Sequence, residues 1–362
     1  NSTAGSPNVI MGTGSFGAAD NEYYTFTPFI QVPNNVGVAS IDGPSDGCGL
    51  SATEPVTITI ENIGTATQTS IPVVYSLNGG TFTSAGSYTG SIAGGATDQF
   101  TFNVDLSAVQ THNLVIVTNL TGDTLTNNDT ASGSIVHIPT VGTFPYTEGF
   151  ESGNGGWTSG GASSTWELGA PTNTNISSAA GGTNAWVTDL DGFYDADEQS
   201  FVQGPCFDFT NLANPEIIMD IYWHSEFSWD GANLEFSVDG GTNWNLVGAL
   251  NDPVNWYNDN SIAGLSNNSF STGTGWSGGG SFTGNGSGGW VSASHALTGL
   301  GGQSSVLLRI AFGADGSGQD EGFGFDNVTI QNQPANDLGV AELLSPTDGC
   351  GLGIEDPVVV IE

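Results

Sequence analysis

Acidic side chains in glycine-rich segments are the residues of this sequence best suited to chemistry. TDLDGFYDADE (188–198) and DGSGQDEGFGFD (315–326) each combine several carboxylates with glycine. Calcium takes roughly six to eight oxygen ligands on flexible loops, although neither segment follows the EF-hand pattern. We predict calcium as a cofactor, with Glu151, Asp326, Asp189 and Asp191 as ligands. The alternative is a pair of solvated acidic loops.

Catalytic patterns are absent from the sequence. His112, His137, His224 and His295 lie far apart and have no nucleophile signature around them. GTGSFG (12–17) and GTGWSG (273–278) match GxGxxG, but neither follows a predicted strand and opens a helix. The 37 acidic residues single out no glycosidase pair. We therefore predict a protein that is not an enzyme.

The charge balance restricts the partners. There are 37 acidic residues and one basic residue, Arg309, so the net charge is −36. Nucleic acid and anionic membranes are therefore excluded as expected partners. No apolar run of about 18 residues is present, so no membrane insertion is expected. Strong salt screening or bound divalent cations would make this charge tolerable, which favours an extracellular, marine or calcium-rich environment.

The secondary structure that must position the acidic residues is predicted to consist mainly of β-strands. VTITIEN (56–62), IPVVYSL (71–77), DQFTFNV (98–104) and HNLVIVT (112–118) alternate apolar and polar residues between glycine-containing turns. This spacing predicts an Ig-like β-sandwich over 34–139. The whole chain is predicted to be all-β.

A second domain is predicted over 140–333, where all nine tryptophans lie. Strands such as EIIMDIYW (216–223) and SVLLRIAF (305–312), joined by long polar loops, indicate a jelly roll. Arg309 falls in the middle of one strand and needs a buried carboxylate, for which Glu321 and Asp326 are the choices. SVDGGTNW (237–244) resembles the Asp-box of sialidase propellers, and a single copy predicts a hairpin with Asp239 and Gly240 in its turn.

An internal repeat sets the larger organisation. VGVASIDGPSDGCGLSATEPV (36–56) and LGVAELLSPTDGCGLGIEDPV (338–358) agree at about half of their positions, with an offset of 350 − 48 = 302 residues. We expect residues 334–362 to be the first strands of the next Ig-like domain. Residues 1–33 are expected to end a preceding domain, possibly a jelly roll, so that both ends continue into a longer chain.

Residues 144–330 resemble the MAM-like and cleaved-adhesin-like jelly rolls of secreted Bacteroidota proteins. The matching words include EGFESGNGGW, STWELGAP, DGANLEFSVDGGTNW and EGFGFDNVTI. PSDGCGLSATEPVTITIENIG resembles the start of the CARDB-type Ig-like domains that alternate with them. The resemblance implies export by the type IX system and a cell-surface or filamentous adhesin. Thr124 and Thr130, in DTL and DTA, resemble Bacteroidota O-glycosylation acceptors.

The three cysteines have no CxxC spacing, so they are interpreted as structural thiols of an oxidising exterior. In an Ig-like sandwich, the loop after the first strand lies near the pole from which the last strand leaves. We therefore predict a Cys48–Cys206 disulfide, with Cys350 left for a partner in the next repeat. Cys206–Cys350 pairing and buried free thiols are the alternatives.

These observations predict a non-enzymatic adhesive or structural segment of a large extracellular repeat protein at the cell surface. Its expected partners are other copies or repeats of the same protein in a fibre or bundle, with a cell-surface or glycan ligand as a further possibility. The alternatives are a carbohydrate-binding module and an accessory region of a secreted hydrolase. Tryptophans exposed in a row would favour glycan binding, whereas buried tryptophans would favour a scaffold.

Overall fold

The computed structural model describes residues 32–266, 270, 272–280, 286–333, 340–345 and 358–361. The chain divides into two compact units between His137 and Ile138. Strands form nearly all of the regular structure, and one helical turn, α1 (Ala263–Ser266), accompanies them. The predicted all-β class is confirmed. Among the described residues, no helix combines the length and the apolar character needed to cross a membrane.

The first unit is a sandwich of two sheets. Its strands are β1 (Val36–Gly43), β2 (Gly47–Cys48), β3 (Glu54–Asn62), β4 (Ile71–Leu77), β5 (Thr83–Tyr88), β6 (Thr97–Val104), β7 (Thr111–Thr118) and β8 (Thr130–Ile138). One sheet has the order β1-β3-β6 and the other β2-β8-β7-β4-β5. Two packed antiparallel sheets between which the chain crosses several times in this way form an Ig-like sandwich.

The alternation in β3 shows why this unit folds as it does. Val56, Ile58 and Ile60 are completely buried in the core between the sheets. Thr57 and Thr59 face the other way, and the Thr57 hydroxyl pairs with that of Thr101 at 2.9 Å on the neighbouring strand. A period of two residues is what a sheet with one buried face requires.

The second unit is a larger sandwich with the connections of a jelly roll. Its strands are β9 (Thr140–Val141), β10 (Tyr146–Glu148), β11 (Thr158–Ala162), β12 (Trp166–Gly169), β13 (Ala185–Thr188), β14 (Gln199–Gln203), β15 (Cys206–Phe207), β16 (Pro215–His224), β17 (Gly231–Ser237), β18 (Asn245–Leu246), β19 (Val291–Ala296), β20 (Leu307–Gly313) and β21 (Gly322–Asn332). One sheet has the order β12-β13-β21-β16-β19, with β10 also paired to β21. The facing sheet has the order β11-β14-β20-β17-β18.

Aromatic side chains fill the space between these two sheets. Trp166 on β12 contacts Phe312 on β20 edge to face, with ring centroids 6.4 Å apart. Trp276, from the long β18–β19 connection, stacks on Phe323 at 5.5 Å. The inward side chains of β20 include Leu308 and Phe312, so the intervening Arg309 lies on the opposite face of the sheet.

A last hairpin, β22 (Val340–Ser345) and β23 (Val358–Ile361), repeats the irregularity of β1 and β3. The β1–β3 ladder shifts register at positions 38–40 and 41–43. The β22–β23 ladder shifts at 340–342 and 343–345, which is 340 − 38 = 302 residues later. The backbone therefore repeats with the same offset as the cysteines.

Candidate functional site

Three carboxylates meet at one end of the β17–β20 strand pair. Gly231, the first residue of β17, pairs with Gly313, the last residue of β20. Asp230 directly precedes β17, and Asp315 follows β20 by two residues. Glu226 lies in the same β16–β17 connection as Asp230, and the Asp230 amide donates to its carbonyl oxygen at 3.0 Å. We call Glu226, Asp230 and Asp315 the acidic cluster.

The cluster is close-set and mostly buried. One carboxylate oxygen from each residue lies within 4.8 Å of the other two. Glu226 is 3% exposed and Asp230 is fully buried. Asp230 accepts hydrogen bonds at 2.7 Å from the Tyr194 hydroxyl and from the Asp315 amide. In contrast, Glu226 Oε2 is buried and has no hydrogen-bond partner.

The electrostatics of the acidic cluster favour bound positive charge. Burial raises the pKa of Asp230 to about 7. Burial, followed by the charge of Asp315, also raises the pKa of Glu226 above its ordinary value. Desolvated carboxylates that face one another resist ionisation unless a proton or a cation compensates them. The acidic cluster therefore has the charge and the oxygen ligands to hold a metal ion.

Glu151 and Asp326 approach the same loop. Glu151 accepts hydrogen bonds from the amides of Thr183 and Asn184 at 2.8 and 2.7 Å. Asp326 is buried and accepts from the Gly181 amide at 2.9 Å. Burial raises the pKa of Asp326, and these amide bonds partly offset the effect. Both carboxylates therefore anchor residues 181–184, and their sharing of an ion stays a prediction.

Asp189 and Asp191 lie in a surface loop that follows β13. Asp189 has a positive φ of 61°, and its carboxylate accepts the Asp191 amide at 3.1 Å. The same segment supplies Tyr194, which binds Asp230 of the acidic cluster. Their role as calcium ligands stays a prediction.

The sequence analysis identified only part of the acidic cluster. The two segments singled out by their acidity contain Tyr194 and Asp315, but Glu226 and Asp230 were missed. The pattern that could have identified these two residues is HSEFSWDG (224–231). In it, a Glu and an Asp four residues apart follow a strand and precede a glycine. Only the β17–β20 pairing brings that segment to Asp315.

Arg309 has a different partner from the one predicted. Its guanidinium binds Glu235, with Nε 2.8 Å and a terminal nitrogen 2.6 Å from Oε2. Glu235 lies directly opposite Arg309 in the β17–β20 ladder. The sequence-based choice of Glu321 or Asp326 is wrong, because β21, on which Asp326 lies, belongs to the facing sheet.

The Asp-box residues form the hairpin that the sequence predicts. β17 and β18 pair antiparallel, and Gly240 has a positive φ of 74° in the turn. Asp239 accepts the Asn243 amide at 2.9 Å and the Ser237 hydroxyl at 2.8 Å. The hairpin places Trp244 over the Arg309 guanidinium, 4.0 Å from the ring centroid.

The tryptophans are mainly interior. Six are buried: Trp157, Trp166, Trp186, Trp223, Trp256 and Trp276. Trp244 and Trp290 are half-buried. Trp229 is 47% exposed, and Phe193 is 58% exposed. These two aromatic residues adjoin Asp230 and Tyr194 in the sequence, so both lie beside the acidic cluster.

The remaining predicted residues lie in both units. Thr124 and Thr130 of the first unit are exposed. Cys48 is half-buried in the first unit, and Cys206 is fully buried in the second. Cys350 lies outside the described residues. Glycosylation and the Cys48–Cys206 pairing stay predictions.

No protein-family profile and no curated protein matches the chain. Among solved structures, the K1 cleaved adhesin domain of Lys-gingipain from Porphyromonas gingivalis is similar over 53% of this chain and 100% of its own, at 13% identity and a TM-score of 0.30. A structure of carbohydrate-binding modules from the β-sandwich superfamily covers 83% of this chain and 99% of its own, at 11% identity and a TM-score of 0.32. The structure of Clostridium thermocellum xylanase 10B with its CBM22-1 and GH10 modules is similar over 52% of this chain and 28% of its own, at 14% identity and a TM-score of 0.27. Similarity at this level carries no information about function.

Proposed function

We propose that the chain is a non-enzymatic, adhesive or structural segment of a large extracellular repeat protein at the cell surface. An Ig-like domain (34–139) and a jelly roll (140–333) alternate along it. Residues 1–33 end a preceding domain, and 334–362 begin the next Ig-like domain. Its partners are other copies or repeats of the same protein in a fibre or bundle.

The burial of the tryptophans is the observation that carries this proposal. A glycan platform needs aromatic faces open to solvent, whereas six of the nine tryptophans are buried here. Their rings pack on one another and on phenylalanines between the two sheets. The aromatic content is therefore explained by a scaffold.

The repeated hairpin supports the multidomain part of the proposal. The register shifts of β1–β3 recur in β22–β23 with the offset of 302 residues. A period of that length holds more than one domain. The export route that the sequence resemblance implies is type IX secretion.

A disulfide between Cys48 and Cys206 belongs to the same proposal. Each unit then contributes one cysteine, and the covalent bond stiffens a joint that has to transmit tension. Mass spectrometry of an unreduced peptic digest tests the bond, and we expect one linked peptide pair. Two free thiols, or Cys206 linked to Cys350, would contradict it.

Two further parts of the proposal concern modification and calcium. Calcium binds at Glu151 and Asp326, with Asp189 and Asp191 as additional ligands. Thr124 and Thr130 carry O-linked glycans in the native host, and intact-mass measurement of the natural protein tests this.

Glycan binding is the second candidate function, because Trp229 and Phe193 are the most exposed aromatic residues in the described part of the second unit. The third is an accessory region of a secreted hydrolase. A glycan array with the wild-type chain and the Trp229→Ala variant separates these from the scaffold.

The test of the main proposal combines that array with self-association and surface labelling. We expect antibodies against the chain to label intact cells, and chain-coated beads to attach to each other or to those cells. We expect no glycan signal that depends on Trp229. A saturable glycan signal lost in Trp229→Ala, or a protein confined to the cytoplasm, would contradict the proposal.

A further inference from the structure

We propose that the acidic cluster of Glu226, Asp230 and Asp315 binds one divalent cation, and that its ligand chemistry suits calcium. This site is separate from the predicted pair of Glu151 and Asp326. It does not depend on the adhesive function, because an ion bound by buried carboxylates stabilises the fold whatever the surface binds.

The spacing of the oxygens fits a single ion. Calcium lies about 2.3–2.6 Å from each oxygen ligand, so two ligands of one ion are separated by at most about 5 Å. One oxygen from each of the three carboxylates lies within 4.8 Å of the other two. The three carboxylates are therefore close enough for small side-chain shifts to bring them onto one ion.

The second observation is the orphaned oxygen of Glu226. Oε2 is buried without a hydrogen-bond partner, on a residue that is 3% exposed. A buried acceptor that finds no donor costs about 1–3 kcal/mol, and more when it is charged. Gly318 closes over this oxygen, because a Cβ at that position would lie 1.9 Å from Oε2. Glu226 is therefore held where its missing partner must be a small group.

No lysine or arginine can supply the missing positive charge, and His224, two residues before Glu226, is already paired with Asp320 at 2.8 Å. Arg309 is the one basic residue of the sequence, and it is bound to Glu235 on the β17–β20 sheet. The compensating charge must come from solution, as a cation or as protons. Three carboxylates attract a divalent ion more strongly than a monovalent one, and carboxylate oxygens are the hard ligands that calcium prefers.

An ion at this point would join three separate connections. Glu226 and Asp230 belong to the connection between β16 and β17, and Asp315 follows β20. Tyr194 attaches the 188–198 segment through its hydrogen bond to Asp230. The exposed Trp229 and Phe193 are carried by two of these connections, so ion binding would also order the surface around them.

Calcium titration of the thermal unfolding of the full chain tests the site. The proteins are the wild type, Glu226→Gln and the control Glu216→Gln, each measured in EDTA and in rising calcium. Bound ion stabilises only the native state, so the melting temperature rises with its concentration. We expect Glu226→Gln to need at least about tenfold more calcium than the wild type for the same rise, since one charged ligand is lost.

The control and the EDTA baseline make each outcome decisive. Glu216→Gln should keep the wild-type calcium response, because Glu216 lies on β16 and belongs to neither proposed calcium site. In EDTA, Glu226→Gln should melt at or above the wild-type temperature, because an uncompensated buried charge has been removed. A Glu226→Gln titration that equals the wild type overturns the proposal. So does a wild type that shows no response to calcium, in which case protons compensate the cluster.

Discussion

The two units differ in where they place their negative charge. In the first, Asp129 is the one buried carboxylate among the described residues, and an aliphatic core holds the sheets together. In the second, seven are buried: Glu198, Glu226, Asp230, Glu235, Asp259, Glu321 and Asp326. The first unit has short turns between its strands, whereas the second must fix long glycine-rich connections. Several of these carboxylates, including Glu198, Glu321 and Asp326, accept backbone amides of the connections and so hold them in place.

Glu321 shows how a buried carboxylate is stabilised when cations are scarce. Its oxygens accept the amides of Thr174, Asn175 and Ile176 at 2.7–3.1 Å, as well as the Asn175 side-chain amide at 2.9 Å. Hydrogen bonds from backbone amides favour the charged form of a carboxylate. In a chain with one basic residue, backbone amides therefore take the place of basic side chains.

The largest loss of stability is expected when the ion pair between Arg309 and Glu235 is broken. Arg309→Met leaves Glu235 charged and buried, and should lower the free energy of unfolding by about 3–5 kcal/mol. The double variant Arg309→Met/Glu235→Met should recover much of that loss. Tryptophan fluorescence in a urea titration reports the second unit alone, since all nine tryptophans lie there. Additive losses in the double variant would contradict the coupling.

A somewhat smaller loss is expected when Glu321 is replaced by alanine. The amides of Thr174, Asn175 and Ile176 lose their acceptor, and we expect a destabilisation of about 3 kcal/mol. Hydrogen exchange should show faster exchange of these amides. Asp195→Asn, at an exposed position of the same unit, is the matched control and should change stability little. An unaltered exchange rate at residues 174–176 would contradict the assigned role.

The first unit should gain stability when its one buried carboxylate is removed. Burial, and then the charge of Asp123, raises the pKa of Asp129 from 3.8 to about 6. The native state therefore binds the proton more tightly than the unfolded state, and stability falls as pH rises from about 4 to about 6. Asp129→Asn should abolish this fall and stabilise the unit at pH 7 by up to about 3 kcal/mol.

Far-UV circular dichroism of residues 32–137, or hydrogen exchange of β7 and β8 in the full chain, follows that unit. The wild type measured at pH 4 serves as the control, where the variant and the wild type should converge. A variant less stable than the wild type at pH 7 would show that the carboxylate has a stabilising partner.

The smallest effect is expected on the exposed face of the first unit. Thr57→Ala removes the cross-strand hydroxyl pair with Thr101 and should cost about 0.5 kcal/mol. Ile58→Ala, the neighbouring change on the buried face, should cost about 2–5 kcal/mol because it leaves a cavity. Equal losses in the two variants would contradict the assignment of faces.

The sequence predicts the fold better than the site for a physical reason. Alternation is local, so VTITIEN specifies both β3 and its buried face without knowledge of any other strand. The Arg309 partner depends on the register of β17 against β20, which the sequence of neither strand reveals alone. Likewise, Glu226 and Asp230 lie about 85 residues before Asp315. Only strand pairing brings them together, so spacing along the chain could not find the acidic cluster.

The burial of Arg309 bears on how this protein resists proteolysis. Proteases of the trypsin type cut after lysine or arginine, which an aspartate in their specificity pocket recognises. In 362 residues they find one such peptide bond, Arg309–Ile310. It lies within β20, where Ile310 is completely buried and hydrogen-bonded strands flank it on both sides. While the sandwich is folded, proteases of the trypsin type therefore cannot reach their one cleavage site.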